Sequence, residues 1–340
     1  MTPTVARAGR RDYLGMMQET PVFLDLNRPP VPDIVVARGI TPFYLPNRPV
    51  RGRLVRLGPL AEALLSRHPA NPEPVTQLAG EALALAAGLA SALKFRGSFS
   101  LQAKGDGPVP MLLADCTDTG ALRGYARVDG ARFAEAAAAD PNPGTDRLLG
   151  AGYLAFTVDQ GPEQRHQGIV SIEGENLADM AQHYFATSEQ LRTHLRLACT
   201  RTPAGWRAGA LVLERIAGAG GVDQELSEEA REESWRTATA LAATLSDAEL
   251  LDDALPPERL LHLLFGLEGV AVDRARALSY GCRCSRARLA GILEGFPEDD
   301  LDHMAIDGDI VMTCEFCNHD FRFPRADVRS RLPSGDGAVH

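Results

Sequence analysis

The sequence lacks an excess of basic residues, and it lacks a long apolar run. Its 340 residues carry a formal net charge of −10, which argues against the phosphate backbone of a nucleic acid as the main partner. No apolar stretch is long enough to predict a membrane-spanning helix. The early arginines Arg7, Arg10 and Arg11 are not followed by the sustained apolar segment of a signal peptide. These absences predict a cytoplasmic protein with reduced thiols and with neither nucleic acid nor membrane as a partner.

Signatures of common enzyme classes are also missing. The segment Gly105-Asp106-Gly107-Pro108 is rich in glycine but has no Walker or dinucleotide-binding context, so we interpret it as a turn. No Cys/His/Asp triad is evident, and Cys314-x-x-Cys317 does not open the helix of a thioredoxin-like βαβ unit. The sequence therefore argues only weakly for a dithiol oxidoreductase, and we expect a protein that is not an enzyme.

Six cysteines are present, and four of them form two close pairs. The pairs are Cys282-x-Cys284 and Cys314-x-x-Cys317, separated by the spacer from Ser285 to Thr313. Four thiolates on two tight pairs suit a tetrahedral zinc ion, because each pair brings its ligands together at little entropic cost. The spacing predicts one zinc ion per reduced chain, held by all four cysteines.

The first pair is unusual, because structural zinc sites ordinarily space their ligands by about two to four residues. Ser285 can cap a helix that carries Leu289, Ile292 and Leu293 on one face. The pair would then lie just ahead of a positive helix end, which favours thiolates. Without the metal, each thiol faces a neighbour onto which it can be oxidised, and the small strained ring would be easily reduced again. The pattern therefore predicts a redox switch built on a metal site.

The second pair is predicted to lie at the turn of a β-hairpin. Ile310 and Met312 alternate into this pair, and Phe321 and Phe323 alternate after a polar turn. We interpret His319, which belongs to that turn, as a turn residue. The alternative is that it replaces a cysteine as a zinc ligand.

An α+β domain is predicted before the cysteine pairs, because strand pairs repeat there with a few helices between them. Strands are predicted over residues 52–57, 98–104, 109–116, 153–158, 168–172, 195–198 and 208–213. Helices are predicted to begin at Pro59, at Pro74 and after Asn176. Cys116 and Cys199 end apolar runs, so we expect core thiols rather than a disulfide.

An acidic segment separates this domain from the cysteine pairs. The cluster Gly218-Ala219-Gly220-Gly221 marks the boundary. Residues 222–280 contain 13 acidic and five basic residues, so this segment carries most of the net negative charge of the chain. Ser227, the capping box Ser246-x-x-Glu249 and Pro257 each predict the start of a helix with an apolar stripe. Amphipathic helices of this length are marginal alone. We therefore expect them to dock on a surface of the reduced protein.

Two groups of segments together carry a family resemblance. Around the cysteine pairs these are Cys282-Arg283-Cys284-Ser285-Arg286, Phe296-Pro297-Glu298-Asp299-Asp300 and Cys314-Glu315-Phe316-Cys317. Upstream they are Val50 to Gly58, Ser91 to Phe95, Leu101 to Pro108, Leu122 to Ala126 and Tyr184 to Gln190. Taken in their order along the chain, these segments resemble the redox-regulated heat-shock protein 33 chaperones over roughly residues 38–323. The departures are an N-terminal extension, Asn318 where the family commonly has glycine, and the additional Cys116 and Cys199.

The resemblance implies a holdase that is activated by oxidation, acts without ATP, binds unfolding client proteins under oxidative stress and forms a homodimer when active. The fold class that we predict is α+β, with a mixed-sheet core, a helical acidic linker and a small C-terminal zinc-binding domain that has four cysteine ligands. The predicted domains are a mobile N-terminal extension (1–34), the α+β chaperone core (35–221), the acidic helical linker (222–280), the zinc-binding redox-switch domain (281–326) and a disordered tail (327–340).

Oxidation should act through the stability of the zinc segment. A segment this small depends on metal ligation for folding free energy on the order of 10 kcal/mol, so its unfolding would release the linker and expose apolar surface. Loop closure favours the local disulfides Cys282–Cys284 and Cys314–Cys317 over cross-pairs. The alternative hypothesis is a constitutive structural zinc ribbon that binds a protein or nucleic-acid partner. The acidic balance and the Cys-x-Cys spacing count against this alternative.

Overall fold

The computed structural model describes residues 32–93, 95–161, 164–216 and 227–330. Within these residues the chain forms two compact units, a larger one of residues 32–282 with 315–318 and a smaller one of residues 283–314 with 319–330. The predicted mobile extension up to residue 31, the glycine cluster at 218–221, the first residues of the linker and the predicted tail from residue 331 lie outside the described residues.

Eleven strands of the described residues form one mixed sheet in the larger unit. They are β1 (Val35–Leu45), β2 (Val50–Arg56), β3 (Ser98–Gly105), β4 (Met111–Thr117), β5 (Ala121–Arg127), β6 (Gly152–Asp159), β7 (Arg165–Ser171), β8 (Thr193–Thr202), β9 (Gly205–Arg215), β10 (Ala271–Val272) and β11 (Arg276–Tyr280). Their order is β7-β6-β3-β4-β5-β11-β1-β2-β9-β8, and β10 pairs with β1. Neighbours run antiparallel except β5 and β11, which are parallel. The predicted α+β class is confirmed.

Helices cover this sheet. They are α1 (Pro59–Leu65), α2 (Glu73–Ala92), α3 (Gly130–Ala139), α4 (Thr145–Leu149), α5 (Leu177–Thr187), α6 (Glu228–Ala242), α7 (Asp247–Leu251) and α8 (Pro257–Phe265). The predicted caps explain several starts. The side chain of Asn176 accepts a hydrogen bond from the Asp179 amide, Ser227 accepts one from Ala230, and Ser246 forms the predicted capping box with Glu249.

The central strands are buried on both faces. In β9, Ala210 and Val212 pack in the cluster that includes α1 and α2, whereas Leu211 and Leu213 pack in the cluster that includes α6, α7 and α8. Because successive strand residues point to opposite faces, a near-continuous apolar run places one apolar row on each side of the sheet. The acidic helices therefore cover a sheet face that is itself apolar.

Helix α2 corrects the expectation that no apolar run is long enough to cross a membrane. Among the described residues it is the one helix whose length and composition meet that test, with a mean hydropathy of 1.3. However, 78% of the 18-residue stretch that meets this test is buried inside the protein. Its apolarity follows from its position, because the sheet and its neighbours enclose most of its surface.

Several elements of the larger unit differ from the sequence prediction. Among them are α3, α4, β5 and the pair β10 and β11, which lie in the structure where no such element is predicted. β11 is short, and only Leu278 within it is buried. It becomes a strand because β1 and β5 offer hydrogen-bonding edges on either side, and such a tertiary cause leaves little trace in local sequence.

The smaller unit contains two helices and a three-stranded sheet. They are α9 (Arg286–Leu293), α10 (Glu298–Met304), β12 (Ala305–Ile306), β13 (Asp309–Cys314) and β14 (His319–Pro324), with the order β12-β13-β14. The predicted hairpin of β13 and β14 is confirmed. The predicted apolar face of α9 is narrower than expected, because Leu293 is buried while Ile292 is 46% exposed.

Candidate metal centre and docked linker

The first cysteine pair leaves the core sheet at Gly281. The Gly281 amide donates to the Leu122 carbonyl at 2.8 Å, which extends the parallel pairing of β11 with β5. A Cβ at Gly281 would lie 2.6 Å from the Leu122 nitrogen, so only glycine permits this close approach. Cys282 follows at once and is buried. After Cys284, the Ser285 hydroxyl accepts a hydrogen bond from the Arg288 amide at 3.1 Å and starts α9, as predicted.

The second pair lies at the turn between β13 and β14. Cys314 ends β13 in register with His319, and Cys317 lies within the turn. Asn318 has a φ of 53°, in the left-handed region that asparagine tolerates better than most residues with a side chain. Asparagine therefore meets the backbone demand at this position, where the sequence resemblance implies a glycine. The His319 ring packs edge-on against Phe321, with ring centroids 4.7 Å apart.

The four cysteines of the two pairs converge. The sulfur atoms of these cysteines all lie within 4.8 Å of one another, and all four residues are buried. They belong to Cys282, Cys284, Cys314 and Cys317. Sulfur ligands at about 2.3 Å from a tetrahedral ion are separated by about 3.8 Å. The donor chemistry and the convergence both fit a tetrahedral thiolate site. These four residues could therefore hold a metal ion.

The two residues between the cysteines of the second pair contact β5. The Phe316 ring meets the Tyr125 ring edge-on at 5.2 Å, and the Arg123 guanidinium lies 4.1 Å from the centre of the same Phe316 ring. Glu315 forms an ion pair with Arg127. Burial, with the hydrogen bond to Glu315, raises the pKa of Tyr125 to about 12. The shape of this turn is therefore coupled to the exposed side of β5.

The other two cysteines lie in the core, as predicted. Cys116 is on β4, and Cys199 on β8 packs closely against Gly80 of α2. Burial raises the pKa of the Cys199 thiol, which lowers its reactivity because the thiolate is the nucleophile. Neither residue belongs to the converging cluster.

The acidic linker is docked through an apolar contact. Trp235, Leu260 and Phe265 of the linker helices are buried in one cluster with the sheet residues Phe43 and Leu213. Phe43 and Phe265 stack with ring centroids 5.5 Å apart. The apolar stripes predicted from the sequence are therefore the buried sides of these helices.

Arg56 of β2 ties the linker to the sheet through backbone hydrogen bonds. Its guanidinium donates to the Leu250 carbonyl at 2.8 Å, to the Glu249 carbonyl at 2.6 Å and to the Leu255 carbonyl. Arg56 is only 8% exposed. One buried cation thus satisfies three carbonyls at and just after the end of α7, where the helix dipole also favours positive charge.

Ion pairs surround this contact. Arginines of the core meet acidic residues of the linker in the pairs Arg38–Glu258, Arg48–Glu268, Arg192–Glu232, Arg196–Asp247, Arg207–Asp253, Arg215–Glu228 and Arg215–Glu232. Several are well exposed, so each contributes only about 0.2–1 kcal/mol. Together they explain why a strongly acidic segment lies on this sheet.

Comparisons with known proteins agree with the sequence resemblance. A family model described as "Hsp33 protein" matches residues 39–324. The chain belongs to the Hsp33 family. A 33 kDa chaperonin of Caulobacter vibrioides (strain NA1000 / CB15N) is 40% identical over 289 residues, which cover 83% of this chain and 93% of the relative. A 33 kDa chaperonin of Pseudomonas aeruginosa (strain UCBPP-PA14) is 39% identical over 298 residues, covering 87% and 94%.

A solved Hsp33 structure shares the fold. The crystal structure of the 33 kDa chaperonin of Thermotoga maritima matches with a TM-score of 0.67 and covers 86% of this chain and 96% of that one. Its sequence identity is 21%, so this likeness concerns the fold alone. The family and the names of the relatives identify a chaperone, and these names mention no catalytic activity.

Sequence reasoning missed the residues that attach the cysteine turn and the linker to the sheet. Arg123, Tyr125 and Arg127 alternate with buried residues in β5, so a period of two could have identified their shared face. Arg56 gave no such signal, because its partners are backbone carbonyls of a distant segment.

Proposed function

We propose that this Hsp33 protein is a redox-activated, ATP-independent holdase that binds unfolding proteins under oxidative stress. The observation that supports this most is the convergence of four buried cysteine sulfurs contributed by two sequence-adjacent pairs. Such a cluster can bind a metal ion when its thiols are reduced and can form two local disulfides when they are oxidised. We further propose that the active form is a homodimer and that the protein works in the cytoplasm.

The proposed metal is one zinc ion in the reduced chain. Cys282, Cys284, Cys314 and Cys317 would hold it, and zinc when bound supplies folding free energy on the order of 10 kcal/mol and keeps the ligands as thiolates. The smaller unit offers few fully buried apolar residues, with Leu293, Leu301, Ile310, Phe321 and Phe323 among them. A core of this size is marginal by itself, so the ligands carry much of its stability.

Peroxide is the proposed oxidant. One thiolate of a pair attacks a peroxide oxygen and becomes a sulfenic acid, while the hydroxide that leaves is protonated to water. The second thiolate then attacks the sulfenic sulfur, and the second hydroxide leaves and is protonated to water as the disulfide forms. Each pair thus loses two electrons, two protons are taken up from solvent, and one hydrogen peroxide becomes two waters. Two peroxides convert one chain to the disulfides Cys282–Cys284 and Cys314–Cys317, which loop closure favours over cross-pairs.

Contacts on β5 support a route from the cysteines to the linker. Phe316 and Glu315 hold the second turn on β5, and β5 pairs with β11, which ends the linker segment. Unfolding of the turn would remove these contacts and loosen β11. The linker helices, held by a modest apolar cluster and by exposed ion pairs, would then leave the sheet.

Release of the linker would expose the apolar row of the sheet. Phe43, Leu54, Leu211 and Leu213 are buried beneath the linker helices, and the apolar sides of those helices would be exposed as well. Unfolding proteins present matching apolar surface, so association follows from hydrophobic burial without nucleotide hydrolysis.

Peptide mapping combined with hydrogen exchange tests this proposal. After peroxide with mild heat, we expect the two local disulfides and faster exchange over residues 227–280, because thiol oxidation removes the support of the zinc segment and heat opens the marginal linker. The matched control is Cys199→Ser, which should respond as the wild type does. Equal protection of the linker before and after oxidation would remove it from the mechanism and favour a constitutive zinc ribbon.

A further inference from the structure

A cavity in the larger unit is lined by none of the four clustered cysteines. It has a volume of about 650 Å³ and lies between the β1–β2 hairpin, the C-terminal end of α2 and residues 273–276. Its size is within the range of small-molecule sites. Among the described residues, its lining includes the arginines Arg48, Arg51, Arg53, Arg274 and Arg276, against the single carboxylate Asp273. Such a concentration of guanidinium groups is unexpected in a chain with a net charge of −10.

The local carboxylates do not balance these arginines. Glu268 pairs with Arg48, and Glu214 alone serves both Arg51 and Arg53, at 2.6 Å and 2.8 Å. With Asp273 included, five cations face three carboxylates in the part of the chain that the structure describes. Arg51, Arg274 and Arg276 are exposed, so the excess of about two positive charges is solvated and creates a positive potential that attracts anions.

Two of these arginines are oriented by their strand. Arg51 and Arg53 are two residues apart on β2 and therefore share one face. Arg53 is 7% exposed, while the side chain of Arg51 is 49% exposed. Burial lowers the pKa of Arg53, Glu214 opposes this, and the charges of Arg51 and Arg276 lower the pKa further. The charges of Arg51 and of Arg276 thus each act on the guanidinium group of Arg53.

Arg274 lies just before β11 and Arg276 begins it, and in the sheet β1 separates β11 from β2. Arg276 donates to the neutral Ser91 carbonyl at 3.2 Å near the end of α2. The backbone amide of Arg274 donates a hydrogen bond to the Asp273 carboxylate, and the Arg274 guanidinium takes no part in that bond. Both cations therefore keep donor capacity for a further acceptor.

We propose that this cavity is an anion site for condensed or organic phosphates, held by Arg51, Arg53, Arg274 and Arg276. Guanidinium groups match phosphate oxygens through paired N–H donors, and a multivalent phosphate offsets the surplus of cations. The volume exceeds the need of a single phosphate group, so the site suits pyrophosphate or the diphosphate of a nucleotide. This inference does not depend on the proposed redox function, because the cavity lining contains none of the four clustered cysteines.

Isothermal titration calorimetry with pyrophosphate and, separately, with ADP tests the site on the full reduced chain. We expect binding of one or both ligands at one site per chain, and weaker binding at higher salt because the contacts are charged. Arg274→Gln is the first variant, because it removes a donor without removing a described side-chain contact. Arg276→Gln is the second. Each should weaken binding by about tenfold or more.

Arg165→Gln is the matched control, since Arg165 is an exposed residue of the edge strand β7 and does not line the cavity. It should bind as the wild type does. Circular dichroism establishes that each variant is folded, and a misfolded Arg276→Gln leaves Arg274→Gln to decide. Binding of neither ligand to the wild type, or equal binding by wild type and Arg274→Gln, would overturn the proposal.

Discussion

Arg56 provides a sharp test of how the linker is held. Replacing Arg56 with glutamine removes the cation that donates to the carbonyls of Glu249, Leu250 and Leu255. Hydrogen bonds from a charged donor contribute about 1.5–3 kcal/mol each, and a buried carbonyl that is left without its donor costs about 1–3 kcal/mol. Water can reach part of this site once it opens, so we take the lower value of about 1 kcal/mol for each of the three carbonyls, which gives about 3 kcal/mol for the change in local opening free energy.

A change of about 3 kcal/mol increases the equilibrium for local opening by about a hundredfold. Amides of α7 and α8 that exchange through this opening should exchange about a hundredfold faster in the reduced variant. Amides of β9, which is held by β2 and β8, should keep their protection. Because the linker covers the apolar row, the reduced variant should also suppress aggregation of an unfolding client better than reduced wild type.

Arg196→Gln is the matched control, since Arg196 also contacts α7, through an ion pair with Asp247 at 2.7 Å. That pair is exposed, with 44% and 59% of the two side chains accessible, so its loss should cost less than about 1 kcal/mol and raise exchange less than about fivefold. Hydrogen exchange read by mass spectrometry measures both variants. Equal acceleration in the two variants, or none in Arg56→Gln, would refute the view that this buried cation holds the linker.

Three further predictions concern the cysteines, the turn and the core. Replacing Cys116 or Cys199 with serine should leave the zinc content at one ion per reduced chain, whereas Cys284→Ser should reduce the zinc content. A loss of zinc in Cys199→Ser, measured by metal analysis, would contradict the ligand assignment. Phe316→Ala removes the contacts with Tyr125 and Arg123, so linker release should need less peroxide; an unchanged dose response in a light-scattering assay would remove this contact from the route. Burial, with the charge of Asp247 adding to it, raises the pKa of Glu81 from 4.5 to about 7. The stability that its proton contributes is complete below about pH 4.5 and is lost as pH rises through 7. The free energy of unfolding of Glu81→Gln, measured relative to wild type, should therefore be about 3 kcal/mol higher at pH 8 than at pH 4.5. Parallel urea-stability profiles of wild type and variant would contradict this.

Much of the fold is predictable because its signals are local. The strands β2, β3, β4, β6 and β9 follow alternating or continuous apolar runs. Helix starts follow from Pro59 and from the caps at Asn176, Ser227, Ser246 and Ser285. The cysteine cluster is equally predictable from the sequence, because each of the two close pairs already holds two of the four sulfur ligands together.

The rest depends on contacts between distant segments. β11 is a strand only because β1 and β5 flank it, and nothing in its five residues identifies these partners. Arg56 binds carbonyls about 190 residues away, and a carbonyl carries no side-chain signature. Phe316 looks like an ordinary apolar residue between two cysteines until Tyr125 is brought beside it. In each case the missing information is which surface the segment meets, and local propensity does not contain it.

Simultaneous measurement of zinc release and of aggregation suppression during peroxide treatment tests the central proposal most directly. A chromogenic chelator reports zinc, and light scattering of a heat-unfolding client reports suppression, in the same sample at mildly raised temperature without ATP. The predicted result is weak suppression by the reduced zinc-loaded chain, followed by release of about one zinc per chain and by a rise in suppression that does not precede it. Full suppression by the reduced zinc form, with no gain on oxidation, would contradict the redox switch even if both local disulfides formed.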